Sequence, residues 1–374
     1  MTAKELLTAI QLAGQHVHNN SDFPEMLEKK DDIFDKRFIN NYIREKHNRM
    51  PTVFQNTHFY DIIDESFITL KDTVINTSLE FKNRKIHFCD IPLFGTADFK
   101  EFNAFVETAD GDAVIVFNEG LLMFTQKLIE IYTLDHWLRA NHKMTKQMNE
   151  LLTLNFLDVM LSFHLFSNAY FAIPLVWCNI DDLDDIGSPE KLYELDSPFD
   201  DYLSKEDYIT FERQISMSTY LWIAAHEYSH LLLDHLRKHN GTSRLNLSGL
   251  EVNKIELKHS QEYDADLLGA IIALESDSSP FIANGIYFAM TCMMLSQIEH
   301  DKSSDHPSAE DRIINVFNSE VVRNYHLSNY KNVDAVFVPK IQKFKELLSR
   351  IEENDISFSS VSEMQNYIYK VFPQ

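Results

Sequence analysis

Residues 226–230 read His226-Glu227-Tyr228-Ser229-His230. Histidines four apart on a helix project from one face, one turn apart. Two neutral imidazoles at that spacing can share one divalent ion at about 2.0–2.1 Å each. Glu227 adjoins the first histidine and points toward the same open coordination position, where it can take a proton from a polarised water. The chemistry suggested is metal-assisted hydrolysis. A plainer reading is a helix whose polar residues bond to their own turn. The flanks weigh against it, because Tyr220–Ala225 precedes the motif and Leu231–Leu233 follows it. A helix apolar on nearly all sides is buried, and buried polar groups need partners. A metal supplies them.

A catalytic zinc takes three protein ligands and keeps a fourth position open. Downstream, His259–Ala270 continues an apolar helical pattern through Leu267, Leu268, Ala270, Ile271 and Ile272. Glu262 and Asp266, four apart, share one face of it. Glu262 is the expected third ligand, since the alanine and glycine that follow allow close helix packing. Asp266, one turn on, is placed to accept the free N–H of a ligand histidine and fix its tautomer. The plainer reading of these acids is a solvated helix start favoured by the macrodipole. For Asp264, out of line with both, that reading is preferred.

Four stretches in order resemble the gluzincin metallopeptidases of the HtpX and CAAX prenyl protease family, including their small soluble, minigluzincin-like relatives. They are Ala225-His226-Glu227-Tyr228-Ser229-His230 with the further His235, and Glu262-Tyr263-Asp264-Ala265-Asp266. Upstream stand Asn103-Ala104-Phe105-Val106, the turn Asp110-Gly111-Asp112 and the run Val114 to Leu122. Last comes Asp305-His306-Pro307-Ser308-Ala309-Glu310-Asp311-Arg312-Ile313. The likeness spans roughly residues 85–320.

The resemblance implies an α+β fold, mostly α-helical, with a zincin-type core, a small mixed β-sheet and an active-site helix carrying the HExxH motif. It implies one zinc ion per chain, bound by His226, His230 and Glu262. Glu227 would be the general base, and Asp266 would orient a ligand histidine. The strand holding Asn103, Ala104 and Phe105 would be the edge on which an extended substrate pairs. His306 would lie near the metal, stabilising the oxyanion or filling the open position in a resting state. The alternative for His306 is a capping role before Pro307. His235 reads as a satisfied histidine and not a ligand, because five residues turn it about 500° from His230 on a helix.

The elements that must position these groups are legible in outline. Strand signals fall at Ile86–Cys89, Asn103–Val106 and Val114–Phe117, with the Asp110–Asp112 turn joining the last two. Helices are expected from Gly120 to about Thr133, over residues 145–173 and near Gln214–Lys238, ended by Asn240-Gly241. Further helices are expected to about Glu275, to about Glu299, from His306-Pro307, and over Pro339–Glu353. Met1–Ile10 reads as an amphipathic helix, lacking the apolar core of a signal peptide. Residues 1–75 form an expected N-terminal helical region, 76–330 the peptidase domain with an acidic loop at 181–207, and 331–374 a C-terminal helical extension. The acidic loop reads as a solvated linker, with a lid over the cleft as the sharper alternative.

Composition excludes several functions. Against a formal net charge of −23 over 374 residues, no basic patch for nucleic acid appears; the field mildly favours cationic peptides. No membrane span is expected, because the best candidate, Phe156–Trp177, is broken by Asp158, His164, Asn168 and Pro174. Three scattered cysteines without a C-x-x-C pair suit a reducing, cytoplasmic location. The expected function is thus a zinc endopeptidase acting on a protein or peptide, with no oligomeric state implied. Two alternatives stand beside it. One is a narrow-specificity protease cutting a single host or phage protein, as phage-exclusion gluzincins do. The other is a catalytically silent zinc-binding regulator, against which the intact Glu227 argues.

Overall fold

A computed structural model describes residues 1–21, 49–76, 79–82, 84–86, 89–110, 112–166, 200–203, 205–235, 254–298, 307–323 and 331–371. The fold is α+β and mostly helical, with a small mixed sheet. The described residues form two compact units. One draws on Met1–Leu122, Tyr220–Ser276 and Ser304–Pro307, the other on Met123–Thr219, Asp277–Ser303 and Ser308–Gln374.

The first unit opens with α1 (Ala3–Leu12). Thr2 Oγ1 accepts from the Glu5 N–H at 3.2 Å and Glu5 Oε2 accepts from the Thr2 N–H at 2.7 Å, a reciprocal cap that starts the helix. Next come α2 (Thr57–Asn76) and a short hairpin, β1 (Glu80–Phe81) with β2 (Arg84–Lys85). The sheet proper comprises β3 (Leu93–Ala97), β4 (Ala104–Ala109) and β5 (Asp112–Asn118), ordered β3-β5-β4. β3 runs parallel to β5, with Leu93 opposite Val114. β4 runs antiparallel to it, from Ala104 opposite Phe117 to Ala109 opposite Asp112.

Central β5 shows no alternation of burial: Val114, Ile115, Val116 and Phe117 are all fully buried. A strand covered on both faces reads as a continuous apolar run. On one face Val114, Val116 and Ala97 pack with Leu7 of α1, joined by Leu6, Ile10 and Phe105. On the other, Phe67 of α2 stacks on Phe94 at 4.4 Å and meets Phe117 edge-on at 6.1 Å. At Thr96 the outer edge of β3 is occupied by side chains. Gln55 Oε1 accepts from the Thr96 N–H, and Gln11 Nε2 donates to the Thr96 carbonyl, both at 2.8 Å. A Cβ at Gly95 would meet the Gln55 amide at 2.8 Å, so the glycine makes room for that contact.

From β5 the chain enters α3 (Glu119–Ala140), followed by α4 (Lys146–Phe166), α5 (Asp200–Leu203) and α6 (Glu206–Leu232). Then come α7 (Lys254–Ser276), α8 (Ile282–Ser296), α9 (Ala309–Asn318), α10 (Glu320–Arg323), α11 (Lys331–Glu353) and α12 (Val361–Val371). In the second unit Tyr132, Phe156, Phe288 and Phe337 form an aromatic core with centroids 5.3–6.2 Å apart. Two polar pairs are buried there. Lys340 Nζ donates to Asp135 Oδ2 at 2.6 Å, and Gln365 Nε2 lies 3.2 Å from both oxygens of Asp158.

The elements differ from expectation at their edges. Ile86 and Cys89 lie outside strands and residues 87 and 88 lie outside the described set; the strand is Leu93–Ala97 instead. The helix starting at Glu119 runs to Ala140, past the expected Thr133. The motif helix spans Glu206–Leu232, displaced toward the N-terminus from 214–238. Of the acidic segment 181–207, residues 181–199 and 204 lie outside the described set, while Glu206 and Asp207 open α6, where its dipole favours acids. The last amphipathic stretch begins at Lys331 and carries Pro339 within the helix. Among the described residues, no helix is long and apolar enough to cross a membrane.

Candidate metal centre

α6 and α7 build the site. Around the motif α6 is buried on every side: Ala224, Ala225, Tyr228 and Ser229 are fully enclosed, and His226 and Glu227 are 8% and 7% exposed. Ser229 Oγ donates to the Ala225 carbonyl at 2.7 Å, so its hydroxyl is satisfied within the helix. The Tyr228 hydroxyl donates to the Cys89 carbonyl, and burial pushes its pKa up. One turn before His226, the Trp222 ring lies 5.5 Å from the imidazole.

α7 crosses close by at Gly269. A Cβ there would stand 2.9 Å from both Cα and N of His226. The missing side chain lets the two backbones approach, so Ala265, Asp266 and Glu262 of the preceding turns reach α6. Asp266, fully buried, places Oδ1 3.0 Å from His226 Nδ1. Glu262 reaches past it, with Oε2 3.7 Å from His226 Nε2 and Oε1 3.7 Å from His230 Nε2. The two Nε2 atoms are 3.3 Å apart. Glu227 Oε1 lies 3.9 Å from His226 Nε2.

The ligand atoms of His226, His230 and Glu262 all lie within 4.8 Å of one another. Two atoms bonded to a tetrahedral zinc at about 2.0–2.1 Å sit about 3.3–3.4 Å apart. Spacings of 3.3, 3.7 and 3.7 Å therefore come near what such an ion asks of its ligands. Protonation fits as well. Burial, then the neighbouring His226, pushes the His230 pKa down to about 3, while Glu262 opposes the shift. A ring held neutral at pH 7 keeps the lone pair a metal needs.

α6 stops just beyond His230. Asp234 adopts a left-handed φ of 59°; its N–H donates to the Leu231 carbonyl, and the His235 N–H to the His230 carbonyl, both at 3.0 Å. This pair of bonds is a Schellman termination, which folds the residue after the turn back over the last helical residues. It brings His235 Nδ1 within 3.0 Å of His230 Nδ1. His235 is thus a satisfied histidine, as expected, but by a different route. The 500° offset assumed a helix that continues, and the helix ends at Leu232. Asp264 is not simply solvated: it pairs with Lys82, which occupies the β1–β2 turn at φ 50°.

Asn103 precedes the sheet strand that Ala104 and Phe105 begin. Asn103 closes the end of the β4–β5 pair, its carbonyl accepting from the Asn118 N–H at 3.1 Å. Ala104 and Phe105 start β4, which has β5 on one side and no strand on the other among the described residues. His306 lies outside the described residues. Sequence reasoning missed the link from His235 to His230; its only signal was an aspartate, tolerant of left-handed backbone, just after an apolar run.

Residues 185–330 match the family model described as Peptidase U49. The matched segment includes His226, Glu227, His230, His235, Glu262 and Asp266, and it supports a peptidase family, hence a peptide or protein substrate. Comparison with curated proteins and with solved structures gives no match.

Proposed function

We propose that the chain is a zinc-dependent endopeptidase of the gluzincin type, with His226, His230 and Glu262 as metal ligands and Glu227 as general base. One observation carries the reading: three donor atoms at near-tetrahedral spacing beside a fourth, acidic side chain, inside a segment that matches a peptidase family. A bound zinc would supply Lewis acidity, lowering the pKa of a water toward about 7 and polarising a carbonyl. The chain's own residues do the rest. Glu227 accepts the proton from the attacking water and returns it to the leaving amine. Asp266, with Oδ1 3.0 Å from His226 Nδ1, is placed to take the Nδ1–H and so leave Nε2 bare toward the cluster. The open side of β4, beginning at Ala104 and Phe105, offers main-chain groups to an extended peptide. His306 keeps its proposed role at the oxyanion on the resemblance alone.

Location in a reducing, cytoplasmic compartment is part of the proposal; the free Cys89 and Cys292 support it. The test pairs metal analysis with cleavage. Glu227→Gln should retain one zinc per chain and lose about 10²–10⁴-fold in peptide turnover. Mapping new protein N-termini after expression of the parent chain beside this variant identifies the substrate, and cleavage confined to one partner marks narrow specificity. Undiminished hydrolysis by Glu227→Gln overturns the assignment of the base.

A further inference from the structure

The two imidazoles of the cluster are backed by different chemistry. Behind His226 stands a buried carboxylate, Asp266, at 3.0 Å from Nδ1. Behind His230 stands another imidazole, with His235 Nδ1 at 3.0 Å from His230 Nδ1. Two nitrogens at that distance share one proton: one ring donates N–H and the other accepts through its lone pair. Two arrangements exist. If His235 donates, His230 carries its own proton on Nε2, the atom that faces His226 Nε2 at 3.3 Å and Glu262 at 3.7 Å. If His230 donates, its Nε2 is bare and His235 is protonated on Nε2 instead.

We propose that His235 is the positioning residue for His230: its Nδ1 accepts the His230 Nδ1–H and so leaves His230 Nε2 free to bind a cation. The proposal rests on the metal-site reading above and extends it to how the second ligand is prepared. The Schellman turn at Asp234 is what makes it work. The His235 N–H is bonded to the carbonyl of His230 itself, so the backbone tie and the ring–ring contact link the same two residues. In such turns an apolar contact frequently joins these positions; here a hydrogen bond takes its place. The rings lie 69° apart in plane, 5.1 Å between centroids, which lets an in-plane N–H of one reach the in-plane lone pair of the other. A neutral acceptor also polarises His230 less than a carboxylate would. His226 and His230 are therefore unequal donors, although the motif writes them alike.

The experiment measures zinc affinity of the full chain by competition with a chromophoric chelator, for the parent, His235→Ala and His235→Asn. Outer partners of metal-bound histidines are worth about 10–100-fold in affinity. His235→Ala should lose within that range, and His235→Asn should recover most of it, because its side-chain oxygen can accept where Nδ1 did. Nitrogen-15 NMR of the zinc-loaded parent adds a readout that a merely structural role does not move: His235 should be protonated at Nε2 and bare at Nδ1. Equal affinity in His235→Ala overturns this proposal while leaving the metal site standing. A proton found on His235 Nδ1 overturns it as well, even where His235→Ala fails to fold. Failure of the parent chain to bind zinc overturns both this proposal and the reading beneath it.

Discussion

His18 lies far from the imidazole–carboxylate cluster in sequence, yet it follows the same rule that a buried acid seeks a specific partner. Its Nε2 lies 2.8 Å from Oε1 of Glu119, which is 1% exposed and also accepts from Asn56 Nδ2 at 3.0 Å. The bond to Glu119 raises the His18 pKa above the ordinary histidine value; Asp98 adds to the rise, while burial and Lys100 oppose it. A group whose pKa is raised on folding contributes its full stability below its unfolded pKa, about 6.5, and loses it as pH climbs through the folded value. Alkaline solution should therefore loosen the segment that His18 ties down. The Gln15 and Asn20 amides, bonded to the Asp98 and Val53 carbonyls at 2.9 and 2.8 Å, report this by hydrogen exchange. Their protection should fall as pH rises above about 6.5 in the parent and stay flat in His18→Gln; unchanged protection in the parent refutes the tether. At this scale the imidazole–carboxylate cluster was largely legible, since helix periodicity alone puts His226 with His230 and Glu262 with Asp266. His18 and His235 were not, because their partners depend on where a loop or a helix end turns.

Between elements, the decisive contact is that of α6 with α7. The Gly269 position leaves no space for a methyl group, and overpacking of this kind costs about 1–3 kcal/mol. Gly269→Ala should lower the unfolding midpoint by that amount. It should also weaken zinc binding, because it pushes Glu262 and Asp266 away from the imidazoles together. A variant as stable and as tight for zinc as the parent contradicts the packing account. The β4–β5 hairpin was readable from the Asp110–Asp112 turn between two apolar runs. β3 was not: Leu93–Ala97 is short, follows Pro92, contains Gly95 and takes its outer hydrogen bonds from glutamine side chains. Such a strand carries no period-2 signature. The helices were found but misframed by several residues, because polar caps and turns are weaker signals than apolar stripes.

Over the whole molecule, two of the points where the chain crosses between its compact units fall inside α3 and α6, where no polar break marks a boundary in the sequence. The second unit is fastened by charge as well as by rings. Lys340, 2% exposed, pairs with Asp135, which Arg139 also contacts. Breaking a buried pair from one side leaves the other charge stranded, at about 3–5 kcal/mol. Lys340→Met should cost about 3 kcal/mol, the lower end, since Arg139 remains beside Asp135; chemical denaturation measures it, and a loss below about 1 kcal/mol removes the pair from the stability account. The glutamine seal on Thr96 has a consequence beyond local hydrogen bonding. Sheets bare along two rims can join copy after copy into fibres. With Gln11 and Gln55 bonded to Thr96 on one rim, a strand approaching that rim would have to displace them, which leaves the β4 side as the readier place for another strand to add.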